Sequence, residues 1–220
     1  LIFCNFNTHR LALLYNKFMK TSSKIFYIEK FAIENSNETD LTDIPMLMRR
    51  KLSRLDKICL SSLKKVFDET SQEIIFSSEY GEFDTLKTLI SQYLEANEVS
   101  PAKFSTSVHN NFAGLFSLLN NINSSYTALS AGKNSLSAGL VKAIISEYDK
   151  VLFCYGDAFD MPESISCLIS KTGSENSVKC VFTPCSKPSE ADEFSAFSEF
   201  LNGCTKVFHT PCGTIERVEK

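Results

Sequence analysis

Residues 126–140 read YTALSAGKNSLSAGL. A β-like run ends there in small residues, and Leu136, Leu140, Val141, Ile144 and Ile145 then recur at the three- and four-residue spacing of one helix face. The spacing predicts a strand, NSSYTALS, then a tight turn, then a helix opening at Lys133 or Asn134. Such a turn brings the last strand residue to a helix N-terminus, where unpaired N–H groups and the helix dipole stabilise an anion. A reactive side chain displayed this way would stand at Leu129, which can neither ionise nor attack. Ala131 and Gly132 are small enough to allow close backbone approach.

Working outward, KIFYIEKFAIE (24–34) has partial β alternation, and NSNETDLTD (35–43) is a polar loop. Pro45 suits the first turn of a short helix. A longer helix follows, capped by Ser53, with Leu55, Ile58, Cys59, Ser62, Leu63, Val66 and Phe67 on one face. EIIFSSEYGEF (73–83) reads as a strand entering a glycine turn. Asp84 is placed to cap a helix carrying Leu86, Leu89, Ile90, Tyr93 and Leu94. HNNFAGLFSLLNN opens another helix, with Ala113 and Gly114 at positions of close approach. KVLFCYGDAF (150–159) is a continuous apolar run of the kind buried on both faces of a sheet. After a loop at 171–177 come VKCVFTPC as a strand, SEADEFSAFSEFLNG as a helix ending at Gly203, and TKVFHT and TIERVEK as short strands. Strands alternating with helices predict an α/β fold, a mostly parallel central sheet covered by helices on both faces. No internal repeat and no strong boundary interrupts residues 1–220, so one domain is expected.

The chain has 220 residues, 43% hydrophobic and 22% charged, enough to bury a core without a metal or disulfide staple. A net charge of −3 gives no general attraction to nucleic acid. The one basic cluster is Arg49, Arg50, Lys51, Arg54 and Lys57, interleaved with Leu47, Leu52 and Leu55, and reads first as a solvated helix face. No apolar stretch reaches the length of a membrane span, and the first twenty residues lack the regions of a signal peptide. A cytoplasmic location is therefore expected. Eight cysteines occur with no Cys-x-x-Cys pair and three histidines, which argues against structural zinc. Cys154 and Cys180 sit in strand-like runs and are expected as free thiols.

The order of parts, SSEYGEF, a helix, SVHNNFAGLFSLL, YTALSAGKNSLSAGLVKA and VLFCYGDAFD, resembles the N-terminal half of a β-ketoacyl synthase, of the thiolase-like fold. More closely it is similar to short ketosynthase-like proteins of chain-length-factor type. Residues 44–165 carry the match, 1–43 fit it poorly, and 166–220 form a strand-helix-strand extension. The resemblance implies a half-length thiolase-like fold with no cofactor and no metal. It aligns Thr127, Ala128, Leu129, Ser130, Ala131 and Gly132 with an elbow whose tip is cysteine in working enzymes, and Leu129 takes that cysteine's place. It also implies two catalytic histidines far beyond the elbow, whereas the only histidine after Leu129 is His209. Ser130 and His109 are the remaining low-ranking candidates for chemistry. The family frame gives the His109 segment a bracing role, its asparagine supporting the elbow.

The resemblance thus favours a non-catalytic subunit pairing with a full-length ketosynthase, or with itself, in fatty-acid, polyketide or aryl-polyene-type biosynthesis. In the family the strand leading into the elbow packs across the dimer twofold, which would make NSSYTALS an edge seeking a partner. Phe112, Leu115 and Phe116 are then candidates for an acyl-pocket wall, with packing in this domain's own core as the plainer reading. A second reading is a stand-alone acyl-chain or acyl-carrier-protein binding module, using Arg49, Arg50 and Arg54 against an acidic carrier. A third is an unrelated enzyme built on His109, Ser130, Asp157 and Glu79.

Overall fold

The run KVLFCYGD forms β4 (Lys150–Asp157), and its side chains alternate between two cores. Val151, Phe153 and Tyr155 enter one, while Leu152 and Cys154 enter the other, as the period of two in a strand requires. The computed structural model describes residues 22–218 except 37, 38, 187, 189 and 191. Within them lie β1 (Lys24–Glu34), β2 (Glu73–Ser77), β3 (Ser125–Leu129), β5 (Glu163–Ser170), β6 (Val178–Pro184), β7 (Val207–Thr210) and β8 (Gly213–Arg217). With β4 they make one eight-stranded sheet, ordered β3-β2-β4-β5-β1-β6-β8-β7. The segment before Ser22, including Cys4 and the region tested for a signal peptide, lies outside the described residues.

The helices are α1 (Met46–Arg49), α2 (Arg54–Val66), α3 (Phe83–Ala96), α4 (Pro101–Ser105), α5 (Asn111–Leu119), α6 (Ser135–Ile144) and α7 (Glu193–Leu201). α2 and α5 cover one face of the sheet, where Ile58, Leu63, Val66, Phe112 and Phe116 meet Phe76, Leu152 and Leu168. α6 and α7 cover the other, where Leu136, Leu140, Phe197 and Phe200 meet Phe153, Ile165 and Phe182. Helices on both faces match the expected α/β layering.

The expectation of a mostly parallel sheet needs correction. β2 runs parallel to β3 and β4, and every other pairing is antiparallel. The reason is β5, which the sequence reading passed over. ESISCLIS alternates serine with apolar residues, so it lacks the continuous apolar run of a covered strand, yet Ser164, Ser166 and Ser170 are all buried. Their hydroxyls find partners inside: Ser62 Oγ lies 2.7 Å from those of both Ser164 and Ser166. Only a short link joins β4 to β5, and without a crossover helix consecutive strands must pair antiparallel.

Two local readings also meet the structure. Ser53 caps α2 as expected, accepting the Asp56 N–H at 2.9 Å while the Asp56 carboxylate accepts the Ser53 N–H at 3.1 Å. Asp84 does not cap α3: the helix begins at Phe83, and Asp84 lies in its first turn, paired at 3.6 Å with Arg54. The seven described cysteines are free thiols, Cys59, Cys154, Cys167 and Cys180 among them buried.

Candidate functional site

β3 closes at Leu129, which pairs in register with Ser77 of β2, and residues 130–134 lead from it to α6. The Leu129 side chain packs against the core on the α6 and α7 face. Its carbonyl is doubly engaged, accepting the Ser78 N–H at 3.2 Å and lying 2.9 Å from His109 Nε2. The Ser130 hydroxyl donates to the Glu79 carbonyl at 3.2 Å. In the turn itself, Ser135 Oγ accepts the Ala131 N–H at 2.9 Å and donates to the Gly132 carbonyl at 2.7 Å. Gly132 has φ 59° and open space where a side chain would lie, so it serves the turn's left-handed conformation and not close approach. The close approach falls one helical stretch later. A Cβ at Gly139 would stand 2.4 Å from Ser77 Oγ and 2.7 Å from the Phe153 ring.

The N-terminal end of α6 is where an anion would be expected to bind, and it is occupied from within. Glu193, the first residue of α7, accepts the Ser137 N–H at 3.0 Å and the Ser137 hydroxyl. The start of α6 therefore rests on a carboxylate from within the chain, in a residue 6% exposed, while Asp192 caps α7 by accepting the Ser195 N–H at 3.1 Å. Burial pushes the affinity of Glu193 for a proton up, while the Ser137 bonds oppose that shift. Sequence reasoning did not find Glu193, because the contact joins residues 56 positions apart and no local pattern announces it.

Behind the elbow, the Asp157 carboxylate at the end of β4 holds residues 78–80. It accepts the Ser78 hydroxyl at 2.6 Å and the N–H groups of Glu79 and Tyr80 at 2.8 and 3.0 Å. His109 sits half-buried beside them, its ring tilted on Phe76 at 5.8 Å. With Nε2 on a backbone carbonyl, that nitrogen carries the proton and braces the elbow. Asn110 donates to the Tyr126 hydroxyl at 3.3 Å. Asn111 reaches instead to two buried carboxyls, Asp56 at 3.2 Å and Glu82 at 3.3 Å.

The remaining candidates are dispersed. Phe112 and Phe116 are fully buried, 6.2 Å apart, against Phe76 and Phe67, and Leu115 packs on the same cluster. Arg49 ends α1, and Arg54 opens α2, where it bonds the Asp160 carbonyl at 3.0 Å. His209 lies on β7, at the opposite edge of the sheet from β3, 3.3 Å from Thr214 Oγ1. A shallow cavity of about 650 Å³ opens between the end of β1, Lys65 and α7, and none of residues 127–134 lines it. Among the described residues no cluster of His, Cys, Asp and Glu is arranged to hold a metal ion, and no helix is long and apolar enough to cross a membrane.

The family model for the N-terminal domain of β-ketoacyl synthases matches residues 27–195. No curated protein matches the chain. Among solved structures it is similar to the ketosynthase ApeO in complex with its chain length factor ApeC, from Xenorhabdus doucetiae. That likeness has a TM-score of 0.68 at 17% identity, over 87% of this chain and 99% of the other. The ishigamide ketosynthase/chain length factor follows, with a TM-score of 0.48 at 13% identity, over 57% of this chain and 46% of that one. The first of these shows a shared thiolase-like fold.

Proposed function

The chain belongs to the β-ketoacyl synthase N-terminal-domain family, and from that membership we propose that it is a non-catalytic, chain-length-factor-type subunit that pairs with a catalytic ketosynthase. The observation that carries this reading is the position of β3. The strand that ends in Leu129 is one of the two edges of the sheet, pairing only with β2 among the described residues, so its outer row of N–H and C=O groups is open to another strand. Beside the elbow the chemistry of acyl transfer is missing. Leucine cannot form a thioester, and the helix end that would stabilise a thiolate or oxyanion is taken by Glu193. What the elbow retains is its shape. A partner supplying cysteine and histidines would perform the condensation, and the pathway would be of fatty-acid, polyketide or aryl-polyene type. Co-expression with a full-length ketosynthase from the same organism should give a stable heterodimer at micromolar concentration. A chain that stays monomeric or pairs only with itself there sinks the proposal.

A second reading, binding of an acyl carrier protein, is favoured by one observation. Met46 and Leu47 are exposed beside Arg49, Arg50 and Lys51, and none of these three cations forms an ion pair among the described residues. An apolar strip flanked by free cations fits an acidic, amphipathic helix. Reversing Arg49 and Arg50 to Glu should abolish binding of the carrier protein in titration calorimetry; unchanged affinity excludes this face.

A further inference from the structure

Asp56 and Glu82 are 3% and 5% exposed, and among the described residues no Lys or Arg donates to either carboxyl. They meet where three elements join: Asp56 in the first turn of α2, Glu82 at the N-cap of α3, and Asn111 at the start of α5. The Asn111 amide donates to Asp56 Oδ1 at 3.2 Å and to Glu82 Oε1 at 3.3 Å. Ser53 Oγ accepts from the Asp56 N–H and donates to Glu82 Oε1 at 2.9 Å, while Thr85 Oγ1 donates to Glu82 Oε2 at 2.9 Å. One amide nitrogen thus reaches both carboxyls, which places the two acidic groups side by side in a single buried site. Two ionised carboxylates confined together repel each other and are costly to bury, so a proton on one of them relieves both costs.

We propose that Asp56 and Glu82 hold one proton between them, and that this proton clamps the 78–82 segment and the first turn of α3 onto α2 and α5. The same segment reaches the elbow through Ser78, on the Leu129 carbonyl, and through Glu79, on Ser130. Loss of the proton leaves two buried negative charges facing each other and loosens all three junctions. The surroundings offer little compensation. On α2, Arg54 is engaged with Asp84 and the Asp160 carbonyl, and Cys59 is a buried neutral thiol. On the neighbouring elements, Asp84, Glu79, Asp157 and Asp160 add negative charge, and His109 is committed to the Leu129 carbonyl.

The electrostatics agree with the geometry. Burial, and then the charge of Glu82, push Asp56 up to about 7. Burial likewise raises Glu82, against the bonds from Thr85, Ser53 and Asn111. Carboxyls raised in the fold stabilise it fully below their unfolded range near ~4, and that contribution is lost as pH rises through about 7.

The test is amide hydrogen exchange on the full chain at about pH 6 and about pH 8.5, corrected for intrinsic rates, with ¹³C titration of the carboxyls. Protection of residues 78–90 should fall about tenfold relative to β4 and β5 at the higher pH, as one lost unit of proton linkage requires. Asp56→Asn should make that protection independent of pH, and Glu82→Gln should do the same if the first variant does not fold. Carboxyl signals that both titrate near ~4, or a wild-type segment whose protection ignores pH, would overturn the proposal. So would a pH-dependent loss that persists undiminished in the folded variants.

Discussion

In α2, Leu55, Ile58, Leu63 and Val66 are at most 2% exposed, whereas in α3 Leu89 is buried and Ile90, Tyr93 and Leu94 are 53, 55 and 78% exposed. Both helices carry an apolar face at helical spacing, and in sequence they look alike. α2 lies against β1, β4 and β5, so the sheet covers its stripe. α3 meets the short α4 and leaves its stripe to solvent, together with Phe104 of α4. An amphipathic helix without a covering layer is common at surfaces that another chain completes. The difference teaches that periodicity marks which face must be buried, but not what buries it.

The sharpest way to test this contrast is to truncate one buried leucine and one exposed one. Leu63→Ala should destabilise the chain by about 3 kcal/mol in urea unfolding, through lost transfer and the cavity left behind. Leu94→Ser should change it by no more than about 0.5 kcal/mol. Equal costs would mean that α3 is covered in solution. Next in size is the effect on partner binding. If the proposed ketosynthase partner covers α3, Ile90→Glu with Leu94→Glu should weaken that association about 100-fold, roughly 2.7 kcal/mol, by calorimetry. The melting temperature of the isolated chain should not move; unchanged affinity would assign α3 to some other contact.

A smaller loss is expected at Gly139, where α6 nearly touches β2. Gly139→Ala forces Ser77 and Phe153 to shift and should cost about 1–3 kcal/mol in thermal unfolding. Gly132→Ala, strained but roomy, probes the turn alone, and a larger loss there would make the turn conformation the tighter constraint. Smallest is the effect of restoring sulfur. Leu129→Cys should form no acyl-enzyme by mass spectrometry, and its thiol should titrate near the ordinary ~8.5, since Glu193 already neutralises the end of α6. A thiol titrating about two units lower would show that the helix end still favours an anion.

Much of this molecule was legible because its signals are local. The Ser53 cap, the 24–34 strand, the apolar run of β4 and the spacing of α6 each depend on neighbours within a few residues. β5 was missed because its buried serines are satisfied by Ser62, which is 102 and 104 residues away. Asp84 looked like a cap because an acidic residue beside an apolar period usually is one, but the helix begins at Phe83, which leaves Asp84 in the first turn and Glu82 at an N-cap without a side-chain cap bond.

By itself the sequence determined that a tight small-residue turn, with leucine at the end of its strand, stands between a strand and a helix, and that strands and helices alternate around it. Those properties follow from side-chain chemistry and from periods of two and 3.6 residues. Only the tertiary structure decided that the sheet is mixed and that Glu193 sits on the end of α6. It also decided that Asp56 and Glu82 share one buried site. Each of these joins groups distant in the chain, and their energies come from burial and from contacts that exist only once the sheet has formed.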